Sequence, residues 1–204
     1  MLFKHYCLIL QKEIFCMESR IIVEGLPFRP YITRAEIEKR VEEMAAKLRK
    51  DLEGCKPLFL CVLNGAFVFA ADLIRAIGLT DAKIQFVKYT SYEGTSSTGN
   101  VRQILGLNED VEGKDVIIIE DIVDTGLTAV KMIDDLKEKN PKSVRFVTLL
   151  HKPENSKIDY TPDYVAFSIP PKFIIGYGLD LDGKARNLRD IYVIEEEEDK
   201  PLNH

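Results

Sequence analysis

The sequence lacks the features that would place it in a specialised class of protein. Its 28 basic residues do not outnumber its 33 acidic ones, and a net charge of −5 gives no sign of a general nucleic-acid-binding surface. No apolar stretch is long enough to span a membrane. The four cysteines, at positions 7, 16, 55 and 61, show no close metal-type spacing, so free thiols of a cytosolic protein are expected rather than disulfides or a metal site.

The chain also lacks internal repeats and any linker that would divide it, and 204 residues suit one domain with a sizeable core. Charged residues interrupt the apolar part of residues 1–16 and no small-residue cleavage site follows, which makes a poor secretory signal. We expect residues 1–16 to be an extension or a misassigned start. The domain then covers residues 17–194, and residues 195–204 form a solvated acidic tail.

Strand and helix patterns alternate through the centre of the chain. Thr33 and Glu36 form a capping box that predicts a helix as far as Gly54. Residues 90–100 have the composition of a loop. The alternation predicts an α/β fold whose sheet is mainly parallel, with helices on both faces and ligands beyond the carboxyl ends of the strands. The other predicted elements are helices at 66–77 and 127–138, and strands at 58–63, 83–89, 101–105, 116–119, 144–150, 165–168, 173–177 and 191–194.

The most informative segment runs from Val116 to Thr128 and reads Val-Ile-Ile-Ile-Glu-Asp-Ile-Val-Asp-Thr-Gly-Leu-Thr. Its apolar start suits a strand buried on both faces. Three acids follow, Glu120, Asp121 and Asp124, and then a Thr-Gly-Leu-Thr turn leads into a helix whose first amides can hold an anion. The turn has no lysine, which excludes the nucleoside-triphosphate loop Gly-x-x-x-x-Gly-Lys-Ser/Thr. Carboxylates before an anion cradle suit a ligand with a phosphate and vicinal hydroxyls, such as a ribose 5-phosphate.

This segment resembles the phosphoribosyl-diphosphate (PRPP) binding motif of the type I phosphoribosyltransferases. Four further segments, residues 61–66, 90–92, 149–153 and 172–180, resemble those of the hypoxanthine (hypoxanthine-guanine) phosphoribosyltransferases. The resemblance implies the type I phosphoribosyltransferase fold, in which helices flank a central, mainly parallel sheet and the chain ends form a small hood subdomain. The implied reaction converts PRPP and hypoxanthine, and also guanine, into IMP (or GMP) and pyrophosphate.

The resemblance gives each acid of the central segment a role. Glu120 and Asp121 accept hydrogen bonds from the 2- and 3-hydroxyls of the ribose and offset the positive charge that develops on it. Asp124 is the general base that takes the proton from N7 of the purine. The alternatives are a solvated strand end for the first two and a helix N-cap for the third. The 5-phosphate is held by backbone amides and hydroxyls of Thr125, Gly126, Leu127 and Thr128.

The diphosphate of PRPP implies Mg²⁺, a cation that takes oxygen ligands and shares them with phosphates. The resemblance gives Asp180 a place near one metal ion and beside the nucleotide. Glu120 and Asp121 are the other candidate metal ligands. Arg186 can pair its fork-shaped guanidinium with the diphosphate, and a surface arginine is the alternative.

Two loops are expected to complete the PRPP site. The backbone of Asn64 and Gly65 matches a family loop that faces the pyrophosphate, often through a cis peptide, although the family usually has a basic residue at the position of Asn64. Ser91 and Tyr92 cap the closed site, and the rest of the 90–100 loop shields the reacting atoms from water. A plain disordered loop is the alternative.

Selection of the base is expected to depend on Lys152, Phe173 and Ile174. A lysine can donate to the 6-oxygen of hypoxanthine or guanine but not usefully to the 6-amino group of adenine. Phe173 stacks on the purine and Ile174 offers backbone groups to its edge. The alternatives are a solvated lysine and a core aromatic.

Three other readings stay open at this point. The chain could be a regulator that keeps the PRPP fold and binds nucleic acid; this would want a basic face or an added DNA-binding domain, and the acidic balance and the lack of a spare domain argue against it. It could act on another base, such as xanthine, guanine alone or a pyrimidine. It could be a non-catalytic interaction protein, which would not need Asp124 and Arg186 together. The resemblance also implies a cytosolic homodimer or homotetramer.

Overall fold

The computed structural model describes residues 20–91, 101–107 and 109–195, with the backbone alone for residues 90–91 and 101–105. These residues form two compact units: the smaller contains residues 20–37 and 172–195, and the larger contains residues 38–171. In chain order the elements are β1 (Ile21–Val23), β2 (Leu26–Ile32), α1 (Arg34–Asp51), β3 (Leu58–Val62), α2 (Phe67–Ile77), β4 (Lys83–Ser91), β5 (Val101–Leu105), β6 (Asp115–Val123), α3 (Leu127–Lys137), β7 (Ser143–His151), a 3-10 turn (Pro153–Asn155), β8 (Tyr164–Ser168), β9 (Ile174–Ile175) and β10 (Ile191–Ile194).

The larger unit contains a six-stranded sheet in the order β5-β4-β3-β6-β7-β8. β4, β3, β6, β7 and β8 are parallel, and β5 runs antiparallel along the edge beside β4. The predicted α/β architecture with a mainly parallel sheet is therefore confirmed. The predicted strand at 101–105 is confirmed as well, and it pairs back onto β4.

Apolar residues on both faces explain why the central strands are buried. All five residues of β3 are buried, and Leu58 pairs with Val116 of β6 on the face covered by α3. Phe59 and Ile117 form the next pair and point to the opposite face, where they are fully buried. A strand covered on both faces needs apolar side chains at every position, as the unbroken apolar runs show.

β6 is longer than the strand predicted at 116–119. It begins at Asp115 and continues through the two acids to Val123. Its ladder with β7 carries on past the apolar run, with Glu120 opposite Thr148 and Val123 opposite His151. The prediction that the strand ends before the acids is wrong, because backbone pairing with a long neighbour extends the strand whatever the polarity of the side chains.

The smaller unit is an antiparallel sheet in the order β1-β2-β10-β9, built from the two ends of the described chain. Phe28, Ile191 and Val193 are fully buried in it. The strand predicted at 173–177 is only two residues long, because the backbone turns at Gly176, whose φ is 97°. The predicted acidic tail begins within this unit, since Glu195 donates its N–H to Pro27 O and pairs with Arg20.

The start of α1 confirms the predicted capping box. Thr33 N donates to Glu36 Oε2 at 2.8 Å, and Glu36 N lies 3.4 Å from Thr33 Oγ1. The helix ends at Asp51, close to the predicted end at Gly54. No helix within the described ranges is long and apolar enough to cross a bilayer.

Candidate active site

The parallel strands of the larger unit bring its candidate residues to one edge of the sheet. The loop after β3 carries Asn64 and Gly65, the end of β6 carries the acids, and Lys152 follows β7. Adjacent parallel strands end at the same edge, so these three segments are neighbours. Lys152 N donates to Val123 O at 2.9 Å, which joins the ends of β6 and β7 directly.

The loop after β3 lies against the second acid of β6. The Leu63–Asn64 peptide is cis, as the resemblance implies. A Cβ atom added at Gly65 would lie 1.5 Å from Asp121 Oδ2, far inside contact distance. Any side chain there would displace the carboxylate or the loop. The glycine is therefore explained by the close approach of its backbone to Asp121.

Glu120 and Asp121 are held by their own backbone. Asp121 N donates to Glu120 Oε1 at 3.0 Å, and Ile122 N donates to Asp121 Oδ1 at 2.9 Å. The Glu120 residue is only 9% exposed, so the solvated strand end considered above does not describe it. Burial, and then the neighbouring Asp121 carboxylate, raise the pKa of Glu120 well above its usual range.

The turn after β6 is the segment for which an anion cradle is predicted. Gly126 has φ 81°, and a Cβ atom there would lie 2.9 Å from Ile158 Cγ1, so both the conformation and the packing require glycine. Val130 N donates to Gly126 O, which leaves the amides of the first helical turn without intrahelical acceptors. A pocket of about 350 Å³ opens here, lined by Glu120, Ile122, Val123, Asp124, Thr125, Gly126, Thr128, Ala129 and Phe146.

Asp124 differs from the two acids before it. Its side chain is 42% exposed, and both of its oxygens accept hydrogen bonds from side chains of the larger unit. Lys152 Nζ lies 3.2 Å from Oδ2, and Asn155 Nδ2 lies 2.8 Å from Oδ1. The N-cap of α3 is Gly126 with no side-chain capping bond, so the alternative reading of Asp124 as a helix cap is wrong.

Lys152 is buried, with 9% of the residue exposed, so it is not the solvated lysine of the alternative reading. Asn155, its neighbour at Asp124, was not among the predicted site residues. Its sequence context, Lys-Pro-Glu-Asn, is ordinary for a turn, and no motif marks it. Only the three-dimensional contact with Asp124 brings it into the site.

The smaller unit contains the remaining predicted base-binding residues. Phe173 is 45% exposed and its ring packs at a tilt on Phe28, with the ring centroids 6.2 Å apart. It is thus an edge aromatic rather than the core aromatic of the alternative reading. Ile174 is buried in β9.

Asp180 and Arg186 are partners within the smaller unit. Arg186 Nη2 lies 2.7 Å from Asp180 Oδ1, and Arg186 Nη1 donates to Gly178 O at 2.7 Å. Gly183 N donates to the other carboxylate oxygen of Asp180 at 2.6 Å. The acid and the arginine therefore brace one loop, and Arg186 is not a solvated surface arginine.

Metal-ligating side chains do not form a protein-built centre within the described parts of the chain. No group of three or more histidine, cysteine, aspartate or glutamate side chains there could hold a metal ion. Of the predicted lid residues, Ser91 ends β4 and pairs with Val101, with only its backbone described. Tyr92 lies outside the described residues.

Known proteins resemble this chain over most of its length. Residues 32–182 match the family model of the phosphoribosyl transferase domain. The hypoxanthine-guanine phosphoribosyltransferase of Streptococcus thermophilus (strain CNRZ 1066) is 41% identical over 81% of this chain and 92% of that protein. The enzyme of the same name from Bacillus subtilis (strain 168) is 42% identical over 80% of this chain and 91% of that protein. A crystal structure of a hypoxanthine-guanine phosphoribosyltransferase from Bacillus anthracis has a TM-score of 0.76 at 40% identity, over 82% of this chain and 96% of that chain.

Proposed function

Since the chain belongs to the phosphoribosyl transferase family, we propose that it transfers the 5-phosphoribosyl group of PRPP to hypoxanthine and guanine in purine salvage. The observation that carries this proposal is one pocket lined by Glu120, by Asp124 and by the Thr125–Thr128 cradle. A buried carboxylate, a more exposed carboxylate and the predicted anion cradle in that order match the three parts of the reaction: the ribose, the base and the 5-phosphate.

The sugar phosphate is bound by two adjacent parts of the pocket. The free amides at the start of α3 and the hydroxyls of Thr125 and Thr128 bind the 5-phosphate, whose charge also suits the positive end of the helix dipole. Glu120 and Asp121 contact the ribose hydroxyls and stabilise the positive charge that develops as the bond to pyrophosphate lengthens. Because Gly65 abuts Asp121, the loop that faces the pyrophosphate and the ribose site form one rigid arrangement.

Asp124 is the general base of the transfer. Purine N9 forms a bond to C1 of the ribose as the C1–oxygen bond to pyrophosphate breaks, and the proton of purine N7 passes to the Asp124 carboxylate. Because 42% of the Asp124 side chain is exposed, the purine can reach the carboxylate directly. Hydrogen bonds to both carboxylate oxygens fix the orientation of Asp124 before the purine binds.

Lys152 selects 6-oxopurines. Its ammonium lies 3.2 Å from Asp124 Oδ2, so a base that gives its N7 proton to Asp124 presents its 6-substituent near Lys152. An oxygen there accepts a hydrogen bond, whereas the amino group of adenine would leave the buried ammonium unpaired. Among the residues of the smaller unit, the resemblance supports Phe173 and Ile174 as purine contacts and Arg186 as a diphosphate contact.

Mg²⁺ is the cofactor that the diphosphate calls for. The described side chains offer isolated carboxylates, such as Asp121 and Asp180, and no three-ligand cluster. This fits Mg²⁺, which is commonly bound by one or two carboxylates, with substrate phosphates and waters completing its shell. When bound it would neutralise charge on the diphosphate, and each unit offers its own candidate ligands: Glu120 and Asp121 in the larger unit, and Asp180 in the smaller.

The test is nucleotide formation from PRPP and Mg²⁺ with hypoxanthine, guanine, xanthine or adenine, followed by chromatography. We expect IMP and GMP and no AMP. A chelator should abolish formation, and added Mg²⁺ should restore it. Activity only with adenine would contradict the role of Lys152, activity only with xanthine would contradict the proposed use of hypoxanthine and guanine, and PRPP binding without turnover of any base would favour the regulator.

We also propose that the chain assembles with itself in the cytosol. Ile84 and Phe86 project from the same face of β4 and are 44% and 48% exposed, and Phe67 at the start of α2 is 44% exposed. Exposed apolar side chains of this size are typical of an interface. Phe86→Arg should lower the mass measured by analytical ultracentrifugation, whereas Thr80→Arg, with the same added charge, should not. Equal masses for both variants and the wild type would contradict this surface.

A further inference from the structure

Backbone hydrogen bonds join the segment that follows β7 to the turn that carries Asp124, the candidate general base. Lys152 N donates to Val123 O at 2.9 Å, and Lys157 N donates to Thr125 O at 3.0 Å. Between these two backbone bonds lies one contact between side chains, from Asn155 to Asp124. The position of Asn155 is therefore fixed at both ends of the segment relative to the Asp124 carboxylate.

Asn155 itself is held by a short turn. Its backbone N–H donates to Lys152 O at 3.1 Å, and Ser156 N donates to Pro153 O at 3.2 Å. The residue is only partly exposed. Its amide nitrogen must face the carboxylate, because the amide oxygen would repel Asp124 Oδ1 at 2.8 Å. The Asn155 amide is thus a neutral hydrogen-bond donor whose position beside Asp124 is set by the turn.

The two donors at Asp124 have different duties. Lys152 is the residue that the proposed function assigns to the 6-oxygen of the base, so its ammonium is shared between Asp124 Oδ2 and the substrate. Asn155 is assigned no substrate contact, and its amide donates to Oδ1 alone among the described side chains. We propose that Asn155 is a positioning residue that holds the Asp124 carboxylate in its reactive orientation while Lys152 also binds the purine. This rests on the proposed function, since it needs Asp124 to be the base.

The proposal makes a prediction for Asn155→Leu, which keeps a side chain of similar size and removes the donor. The value of kcat should fall about ten-fold, because one hydrogen bond to a charged group is lost. The KM for PRPP should stay within about two-fold, since Asn155 does not contact the sugar phosphate.

Asn155→Asp and Asn155→Gln make the test specific to the donor. Asn155→Asp keeps the size but replaces the donor with a carboxylate that repels Asp124, so its kcat should fall further than that of Asn155→Leu, again with little change in the KM for PRPP. Asn155→Gln keeps the amide and should restore most of the activity. Glu154→Gln, on the exposed preceding residue of the same turn, should behave like the wild type. Thermal unfolding of each variant identifies any that does not fold, and Asn155→Asp then replaces Asn155→Leu.

The outcomes separate this inference from the proposed function. If Asp124→Asn loses turnover while Asn155→Leu and Asn155→Asp keep the kcat of the wild type, the inference about Asn155 is overturned and the general base stands. If Asp124→Asn keeps full turnover of hypoxanthine, the general base is overturned and the inference with it. A fall in kcat at an unchanged KM for PRPP in both Asn155 variants, and recovery in Asn155→Gln, supports it.

Discussion

The acids at 120–121 and the acid at 124 are three residues apart and have opposite environments. The Glu120 residue is 9% exposed, and backbone N–H groups hold both it and Asp121. The Asp124 side chain is 42% exposed, and a lysine and an asparagine from another segment hold it. The first pair belongs to the regular ladder of β6, whereas Asp124 follows the strand's last residue, Val123.

This difference in surroundings suits the neighbouring carboxylates of one short segment to two tasks, binding a sugar and exchanging a proton. A carboxylate fixed by its own backbone in a buried strand has a constant position, which suits the recognition of sugar hydroxyls. A carboxylate at an exposed turn can meet a second substrate and exchange a proton with it. Enzymes commonly assign different tasks to neighbouring carboxyl groups by giving them different surroundings.

The largest expected effect comes from removing the proton acceptor alone. Asp124→Asn keeps the shape of the side chain, and we expect kcat for hypoxanthine to fall about a thousand-fold, as is typical when general base catalysis is lost. Steady-state assays at saturating PRPP measure it. A loss below about three-fold would mean that Asp124 does not act as the base.

A smaller but still large effect is expected where Asp121 meets the loop after β3. Gly65→Ala places a Cβ atom where Asp121 Oδ2 now lies, so we expect PRPP affinity to fall about a hundred-fold. Gly106→Ala is the matched control, because no atom lies within 4 Å of an added Cβ and its φ is not in the left-handed region. Calorimetry measures PRPP binding to both variants. Equal affinities would contradict the close packing of Gly65 against Asp121 as a requirement for PRPP binding.

Lys152→Met is expected to affect the base more than the sugar. The KM for hypoxanthine should rise about thirty-fold through the loss of one charge-assisted hydrogen bond, and the KM for PRPP should change little. Lys157→Met is the control, because Lys157 follows in the same segment but is exposed and contributes its backbone N–H. A similar rise in both variants would show that the segment, not the ammonium, matters.

The smallest effect is one of stability in the absence of substrate. The pKa of Glu120 is raised in the folded protein, so the folded state holds this proton more tightly than the unfolded chain. The resulting stabilisation is fully present below the ordinary glutamate pKa and is lost as pH rises through the raised value. Glu120→Gln cannot lose a proton, so its Tm relative to the wild type should increase as the pH rises above the ordinary glutamate pKa and through the raised one. Parallel Tm curves would contradict the raised pKa.

The sequence was sufficient for most of the fold because the controlling signals are local. The unbroken apolar run before Glu120 requires a strand buried on both faces, and the Thr33–Glu36 pair marks a helix start whatever surrounds it. The anion cradle at Gly126 is local as well, since one positive φ and one helix start create it.

The parts that the sequence could not supply depend on contacts between distant residues. The length of β6 is set by its pairing with β7, which no property of the acids themselves reveals. Asn155 reaches Asp124 across 31 positions of the chain, and nothing in its own neighbourhood marks it. The requirement for glycine at position 65 is a further example, because it comes from the carboxylate of Asp121 on another strand.

The central claim is that the acids at 120–121 bind the sugar phosphate and that Asp124 acts on the base. Matched truncations test it most directly: the dissociation constant of PRPP with Mg²⁺, measured by calorimetry for Asp121→Ala and Asp124→Ala. We predict that Asp121→Ala weakens PRPP binding about thirty-fold, through the loss of acceptors for the ribose hydroxyls, and that Asp124→Ala stays within about two-fold of the wild type. Equal losses in the two variants, or a larger loss in Asp124→Ala, would contradict the division of roles between them.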